Sequence, residues 1–313
     1  MKHCPYCHHL LQRYGYTNAG TKRFFCPSCE RTVTAHKRQD VTERHLRHEL
    51  DQWLGGKDSL TEIAKRYHST RQTFWHHFRP IMSFPFAPAI LHDKPVDMLI
   101  LDATYIHKNS LCALVAIDEY DRVFWRFANH ESFARWKEFL ALFPKPSAVV
   151  MDGQKGLFAA AKALWPNVKI QRCQFHVISF AMHYLGRHPK DEAGKEIQQL
   201  LYKLKEVKTM ERKHWWILLY RIWEARYEKL LSEKEGRRYK HQKLRSVRFL
   251  IRKALPNLFT YLEHPGLPNT TNLVEGWVNA AVAEAIRRHR GLKDFEKETL
   301  VSIVLSHLKR GGK

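Results

Sequence analysis

Nowhere does this sequence run apolar for the roughly 18 to 20 consecutive residues that a membrane-spanning helix needs, and the leading MKHCPYC has none of the apolar core of a secretion signal. A cytosolic protein is the expectation. Acidic residues are scarce beside basic ones, 31 Asp and Glu against 53 Lys and Arg. The resulting formal charge of +22, spread along the whole length, points to a polyanionic partner, of which nucleic acid is the commonest. Cysteine is sparse as well: there are six, and four of them form two C-x-x-C pairs within the first 29 residues. In a reducing compartment such pairs are better explained by metal binding than by disulfides. Apolar mass is not lacking. With 44% hydrophobic and 12% aromatic residues the chain is no disordered tail, and 313 residues suffice for two or three domains.

The pairs Cys4/Cys7 and Cys26/Cys29 are separated by eighteen residues. Two tight knuckles at that spacing match one tetrahedral structural Zn2+ site of ribbon type, holding a segment too short to build its own core. Alternation around Tyr14, Tyr16, Arg23, Phe24 and Phe25 suggests short strands between the knuckles, and His3, His8 and His9 are competing ligands of low standing. The expected ribbon covers residues 1–36. A DNA-binding region is expected over residues 37–80, in which 41–80 read as helical, and SLTEIAKRYHSTRQTFWHHF suggests two helices separated near Tyr67, His68 and Ser69. Leu60, Ile63 and Ala64 would pack inward, while Thr70, Arg71, Gln72, His76 and His77 would decorate a recognition-like helix, as in a helix-turn-helix. A generic helical hairpin has the same pattern. The Pro-rich residues 81–95 read as a linker.

Beyond it, VDMLILDATYI, LCALVAIDE and RVFWRFA suggest an antiparallel meander, followed by helix, strand, helix and strand up to VKIQRC. That order predicts an α/β unit with a mixed sheet over residues 96–174. Residues 175–265 read as a helical insertion whose tryptophans, Trp215, Trp216 and Trp223, belong to its core. Its basic run from Glu233 to Lys253 carries nine Lys or Arg against two Glu, which suits a solvated face or a phosphate-contacting surface equally. The remaining residues, 266–313, complete the α/β unit with an amphipathic helix through Glu275 and a last helix whose Leu300, Ile303, Val304 and Leu308 suit packing onto the sheet.

Asp102 lies within the most apolar strand and Asp152 at the end of SAVVMD, where unpaired charge is costly. Acids on neighbouring core strands are placed to share a divalent cation, and Glu275 is the candidate third ligand. Its competing reading is a capping box with Asn269, Thr270 or Thr271. Carboxylates that hold two Mg2+ or Mn2+ ions are how enzymes cut the anionic phosphodiester. Asp118 and Asp121 read only as turn formers.

The order strand-Asp, MDGQKGL, IQRCQFHV, a helical insertion, then TTNLVEGWVNAAV before RRHRGL resembles the mutator-type bacterial insertion-sequence transposases over about residues 95–310. The resemblance implies a ribonuclease H-like core and a metal-dependent DDE triad, here Asp102, Asp152 and Glu275. It also implies double-stranded DNA, the element ends and the target, as partner, a homo-oligomer on that DNA, and a nucleoid-associated place in a prokaryotic cell. Cys173 and His176, spaced C-x-x-H, match a signature of that class without a defined role. The ribbon at the N-terminus departs from the common members. On this reading Lys155, Arg287, Arg288 and Arg290, with Thr70, Arg71 and Gln72, are candidate DNA contacts. The rival expectation is a zinc-ribbon and helix-turn-helix regulator, or an inactive transposase derivative; the regulator would leave the three acids apart.

Overall fold

The computed structural model describes residues 3–4, 7–18, 20–34, 43–55, 58–82, 96–107 and 110–308. Contacts divide the chain into one unit of residues 1–53 with 57–81 and another of residues 54–56 with 82–313.

In the first unit, strands β1 (Gln12–Tyr16), β2 (Lys22–Cys26) and β3 (Arg31–Thr34) form an antiparallel sheet in chain order. It is almost coreless: every residue of β1 is exposed, and among the described residues of this segment Cys4 and Cys26 are the buried ones. Tyr14 packs its ring 5.5 Å from Phe25, which is too little to fold so short a segment alone. Helices α1 (Glu43–Leu54), α2 (Leu60–Arg66) and α3 (Arg71–Ile81) follow. Ser59 and Glu62 form a capping box that starts α2, and His68, at φ 47°, turns the chain out of it. The break falls where the sequence suggests, with Leu60, Ile63 and Ala64 buried on α2 and Phe74 and Phe78 on α3. Buried Glu49 of α1 accepts from Arg66 at 2.5 Å and from the Tyr67 hydroxyl at 3.0 Å, which ties α1 to α2. Helix α3 runs through Pro80 and ends at Ile81, the first residue of the expected linker. Residues 83–95 of the expected linker lie outside the described residues.

The second unit is a mixed α/β structure. Strands β4 (Met98–His107), β5 (Leu111–Asp118) and β6 (Val123–Ala128) form the meander; α4 (Phe133–Leu140), β7 (Ala148–Met151), α5 (Lys155–Leu164) and β8 (Lys169–Arg172) follow. The sheet order is β6-β5-β4-β7-β8, antiparallel across the meander and parallel from β4 through β7 to β8. Buried Asp118 holds the β5–β6 turn by accepting from the amides of Tyr120 and Arg122 at 3.0 and 2.9 Å, so it is a turn former as expected. Because side chains alternate along a strand, Leu99 and Leu101 join Trp136, Phe139, Leu157 and Ala161 on one face, while Ile100 joins Val274, Val278, Val301 and Leu305 on the other.

Helices α6 (Gln174–Leu185), α7 (Glu192–Tyr202), α8 (Met210–Arg226) and α9 (Glu228–Ser232), the short hairpin β9 (Lys234–Glu235) and β10 (Arg238–Tyr239), and α10 (Gln242–Ala254) build a separate core around Ile197, Leu201, Trp216, Tyr220, Trp223, Val247 and Ile251. Two expectations are corrected here. The region is not wholly helical, because Gly236, at φ 61°, closes the hairpin, and Trp215 is 58% exposed rather than core. Within the basic run, Arg248 pairs with Glu228 at 2.8 Å, Arg252 with Glu224 at 2.5 Å, and Arg245 lies over the Tyr239 ring at 3.3 Å.

The chain then passes through a π-helical turn, Leu273–Asn279, into α11 (Ala280–Arg288) and α12 (Asp294–His307). On α12 Leu300 and Ile303 are buried as expected, but the residues in the core of the sheet are Val301 and Leu305 rather than Val304, with Leu308 partly buried against them. The Trp125 indole N–H donates to the buried Ser302 hydroxyl at 3.2 Å on the same face. Among the described residues, no helix is long and apolar enough to cross a membrane.

Candidate functional site

Two clusters of potential ligands stand in the two units. In the first, Cys4 Sγ lies 3.6 Å from Cys29 Sγ and Cys7 Sγ 3.3 Å from Cys26 Sγ, and all four sulfurs are within 4.8 Å of one another. A tetrahedral Zn2+ with bonds of about 2.3 Å sets its sulfurs about 3.8 Å apart, so the donor set fits that ion. None of His3, His8 and His9 joins the group; the His9 ring nitrogen Nδ1 is instead 3.1 Å from the Cys7 carbonyl.

The second cluster is built by strand register. Leu101 pairs with Met151, and Met151 with Arg172, so the next residues along β4, β7 and β8, namely Asp102, Asp152 and Cys173, follow at one level across three strands. The Cys173 amide donates to the Met151 carbonyl at 2.8 Å, which continues the pairing by one residue. Asp102 shares the parity of Ile100 and so belongs to the face covered by Val274 and Val278. Its Oδ1 accepts from the Ala103 amide at 2.9 Å, and the Asp152 carboxylate accepts from the Gln154 amide at 2.8 Å. Burial, then the charge of Asp152, with a smaller contribution from Glu275, pushes the Asp102 carboxyl up to about 8. Such crowding of anions is the condition a cation relieves.

His176, in the first turn of α6, joins these acids. One ligand atom each of Asp102, Asp152 and His176 lie within 4.8 Å of one another, and so do those of Cys173, His176 and Glu275. Asp102, Asp152 and Glu275 do not by themselves form so close a group among the described residues; His176 is common to both. Its Nδ1 is 3.3 Å from Glu275 Oε1, and Phe180 stacks on its ring with centroids 5.7 Å apart.

Glu275 reaches this place through Thr271, which is wholly buried. The Thr271 hydroxyl donates to Glu275 Oε1 at 2.9 Å and also lies 3.3 Å from Cys173 Sγ, while the Thr271 amide donates to the same sulfur at 3.3 Å. Asn269 fastens the preceding loop, its carbonyl accepting from the Gln174 amide and its side-chain amide donating to Gln174 Oε1, both at 2.9 Å. The capping-box reading of Glu275 is therefore corrected. The residue before the helical turn is Asn272, without a side-chain cap, and the Glu275 carboxylate is held by the Thr271 hydroxyl rather than by a cap amide. The expected amphipathic α-helix also begins as the π-helical turn, whose Asn279 Oδ1 accepts from Thr104 of β4.

Sequence reasoning passed over two neighbours, Glu131 and Arg172, and took Thr271 only as a capping candidate. Burial, then the charge of Asp152, raises the carboxyl of Glu131, which accepts from the Trp136 indole at 3.4 Å. Arg172 lies across Gly153, where φ is 109° and a Cβ would fall 1.4 Å from its Nη1. Burial draws down its affinity for its proton against the charge of Asp152, and Nη1 has no hydrogen-bond partner. Glycine after a strand-end Asp was a usable signal for Arg172; nothing local marks Glu131.

Among the candidate DNA contacts, Arg71, Gln72 and Lys155 are exposed at the starts of α3 and α5. Thr70 also caps, accepting from the Thr73 amide at 3.2 Å. Arg287 and Arg288 share Glu284 at 2.8 Å each, and Arg290 is exposed just beyond α11. Residues 34–282 match the family model described as Transposase, Mutator family. No curated protein matches the chain.

Proposed function

This chain belongs to the Mutator family of transposases, the match covering well over half of its length, and from that premise we propose that it binds the terminal inverted repeats of a mobile element and cuts and joins DNA at one carboxylate site. Asp102, Asp152 and Glu275 would hold two Mg2+ or Mn2+ ions, which when bound supply Lewis acidity to the attacking and leaving oxygens. The observation that carries this is the β4–β7 register, which sets Asp102 beside Asp152; burial, then that neighbouring charge, raises the Asp102 carboxyl to about 8. A core built only for stability gains nothing from such a pair. The strand order β6-β5-β4-β7-β8, with helices on both faces, supports a ribonuclease H-like core.

The reaction begins with attack of a water oxygen on phosphorus and breakage of the P–O3′ bond, which leaves a 3′-hydroxyl on the element end. That hydroxyl then attacks a target phosphodiester, and the target's own 3′-oxygen departs. The residues contribute position and charge: the Ala103 and Gln154 amides orient the two aspartates, and Thr271 aims Glu275. The Arg172 guanidinium, with Nη1 unpartnered beside Asp152, places positive charge next to the site.

In the first unit, the four thiolates would hold one Zn2+, and α2 with α3 would form a helix-turn-helix that presents Thr70, Arg71 and Gln72 to DNA. The test is incubation with Mg2+ and DNA carrying the element ends, beside a Glu275→Gln variant. Nicking at the ends by the parent chain and its loss in the variant are expected. Equal cleavage by both removes Glu275 from the site, and cleavage by neither favours a DNA-binding regulator.

A further inference from the structure

Helix α8 is apolar on two separate faces. One buries Trp216, Tyr220 and Trp223 in the core of the helical region. On the other, Trp215 is 58% exposed, Leu218 47%, Leu219 38% and Ile222 44%. At about 100° per residue these four fall in a stripe about 100° wide, the width of a core-facing helix surface. Glu211 and Arg226 prolong the stripe at its two ends, both exposed.

The stripe is complementary to itself. A two-fold axis crossing the helix between Leu218 and Leu219 sets Leu218 against Leu219 of a second copy, Trp215 against Ile222, and Glu211 against Arg226. Each apolar side chain meets an apolar one and each acid meets a base. A parallel pairing would oppose Glu211 to Glu211 and Arg226 to Arg226. A nucleic-acid backbone does not suit the surface, because its middle offers no cation and one end carries an acid, although the chain as a whole is strongly basic. We propose that this face of α8 seats the same face of a second copy of the chain, antiparallel, as a dimer contact formed without DNA.

A single helix pair is a small interface, so the dimer is weak and depends on concentration. Sedimentation equilibrium of the nucleic-acid-free 313-residue chain, over roughly 1 to 100 μM, should show a reversible monomer–dimer equilibrium. Leu218→Glu with Leu219→Glu should weaken it by about two orders of magnitude or more. Both positions are exposed, so circular dichroism and the melting temperature should stay as in the parent. Glu211→Arg should weaken the dimer about tenfold, and adding Arg226→Glu should restore it. The exposed pair of Arg226 with Glu196 at 2.8 Å, lost in that double variant, contributes little to stability. The proposal is overturned by a parent that is monomeric throughout, by a dimer undiminished in the Leu218 and Leu219 variant, or by a charge exchange that does not restore association.

Discussion

The cysteine cluster and the carboxylate cluster gather ligands of similar number by opposite means. Four thiols come from 26 consecutive residues, carried by a sheet so exposed that the sulfurs themselves are much of what it buries. Asp102 on β4 and Asp152 just after β7 come from neighbouring stretches of a five-stranded sheet with a buried core on each face, and Glu275 from the π-helical turn that packs on it. Where the scaffold is small, a bound ion would have to make the fold; where the scaffold is large, the sheet by itself holds two carboxyls together against their repulsion.

The largest expected effect tests the first half of that contrast. Removing Zn2+ with a chelator, or Cys26→Ala, should unfold the residue 1–34 segment, because a structural zinc supplies about 10 kcal/mol or more to so small a module. The second unit should keep its melting transition, since its clusters do not draw on those residues. Calorimetry with metal analysis checks this, and a melt that loses both units together would break the comparison. Next, Asp152→Asn should lower end cleavage by about 10³-fold while the second unit stays folded, as judged by circular dichroism. Unfolding in that variant would mean that the acid serves the scaffold.

A smaller effect is expected at Thr271. Thr271→Val keeps the volume but removes the hydroxyl that donates to Glu275, and should cost about 10- to 100-fold in cleavage. Thr271→Ser should recover most of it, which a mere packing role would not predict.

The smallest is a pH effect. Burial and the charge of Asp152 raise the Asp102 carboxyl from 3.8 to about 8. A group whose proton is held more tightly in the folded state contributes its stability fully below the unfolded value and loses it as pH rises through the folded one. Metal-free protein should therefore lose several degrees of melting temperature between about pH 4 and 8 relative to Asp102→Asn. Parallel curves for the two proteins would remove Asp102 from the strained pair.

Much of this architecture was legible from periodicity. The meander, the alternation that follows it and the break between α2 and α3 appear where spacing placed them. Trp215 was misplaced because an exposed apolar stripe has the same sequence pattern as a buried one, and α8 carries both. The hairpin at Gly236 was hidden in a run whose charge said nothing of backbone direction. Val301 and Leu305 entered the sheet core where Val304 was expected, with Ser302 accepting from the Trp125 indole beside them.

For the acids, the sequence by itself determined which strands would carry them, since a charge set in an apolar run is visible locally. It also determined the thiol spacing, which is contained in one short segment. Only the tertiary structure decided that β4 and β7 are neighbours in a register that aligns Asp102 with Asp152, and that Thr271, Asn269 and the π-helical turn bring Glu275 to His176 rather than into a capping box. Apart from the local Thr271–Glu275 bond, those contacts join residues 50 to 99 positions apart, and no local periodicity encodes a pairing between strands or the rotation of a helix against a sheet.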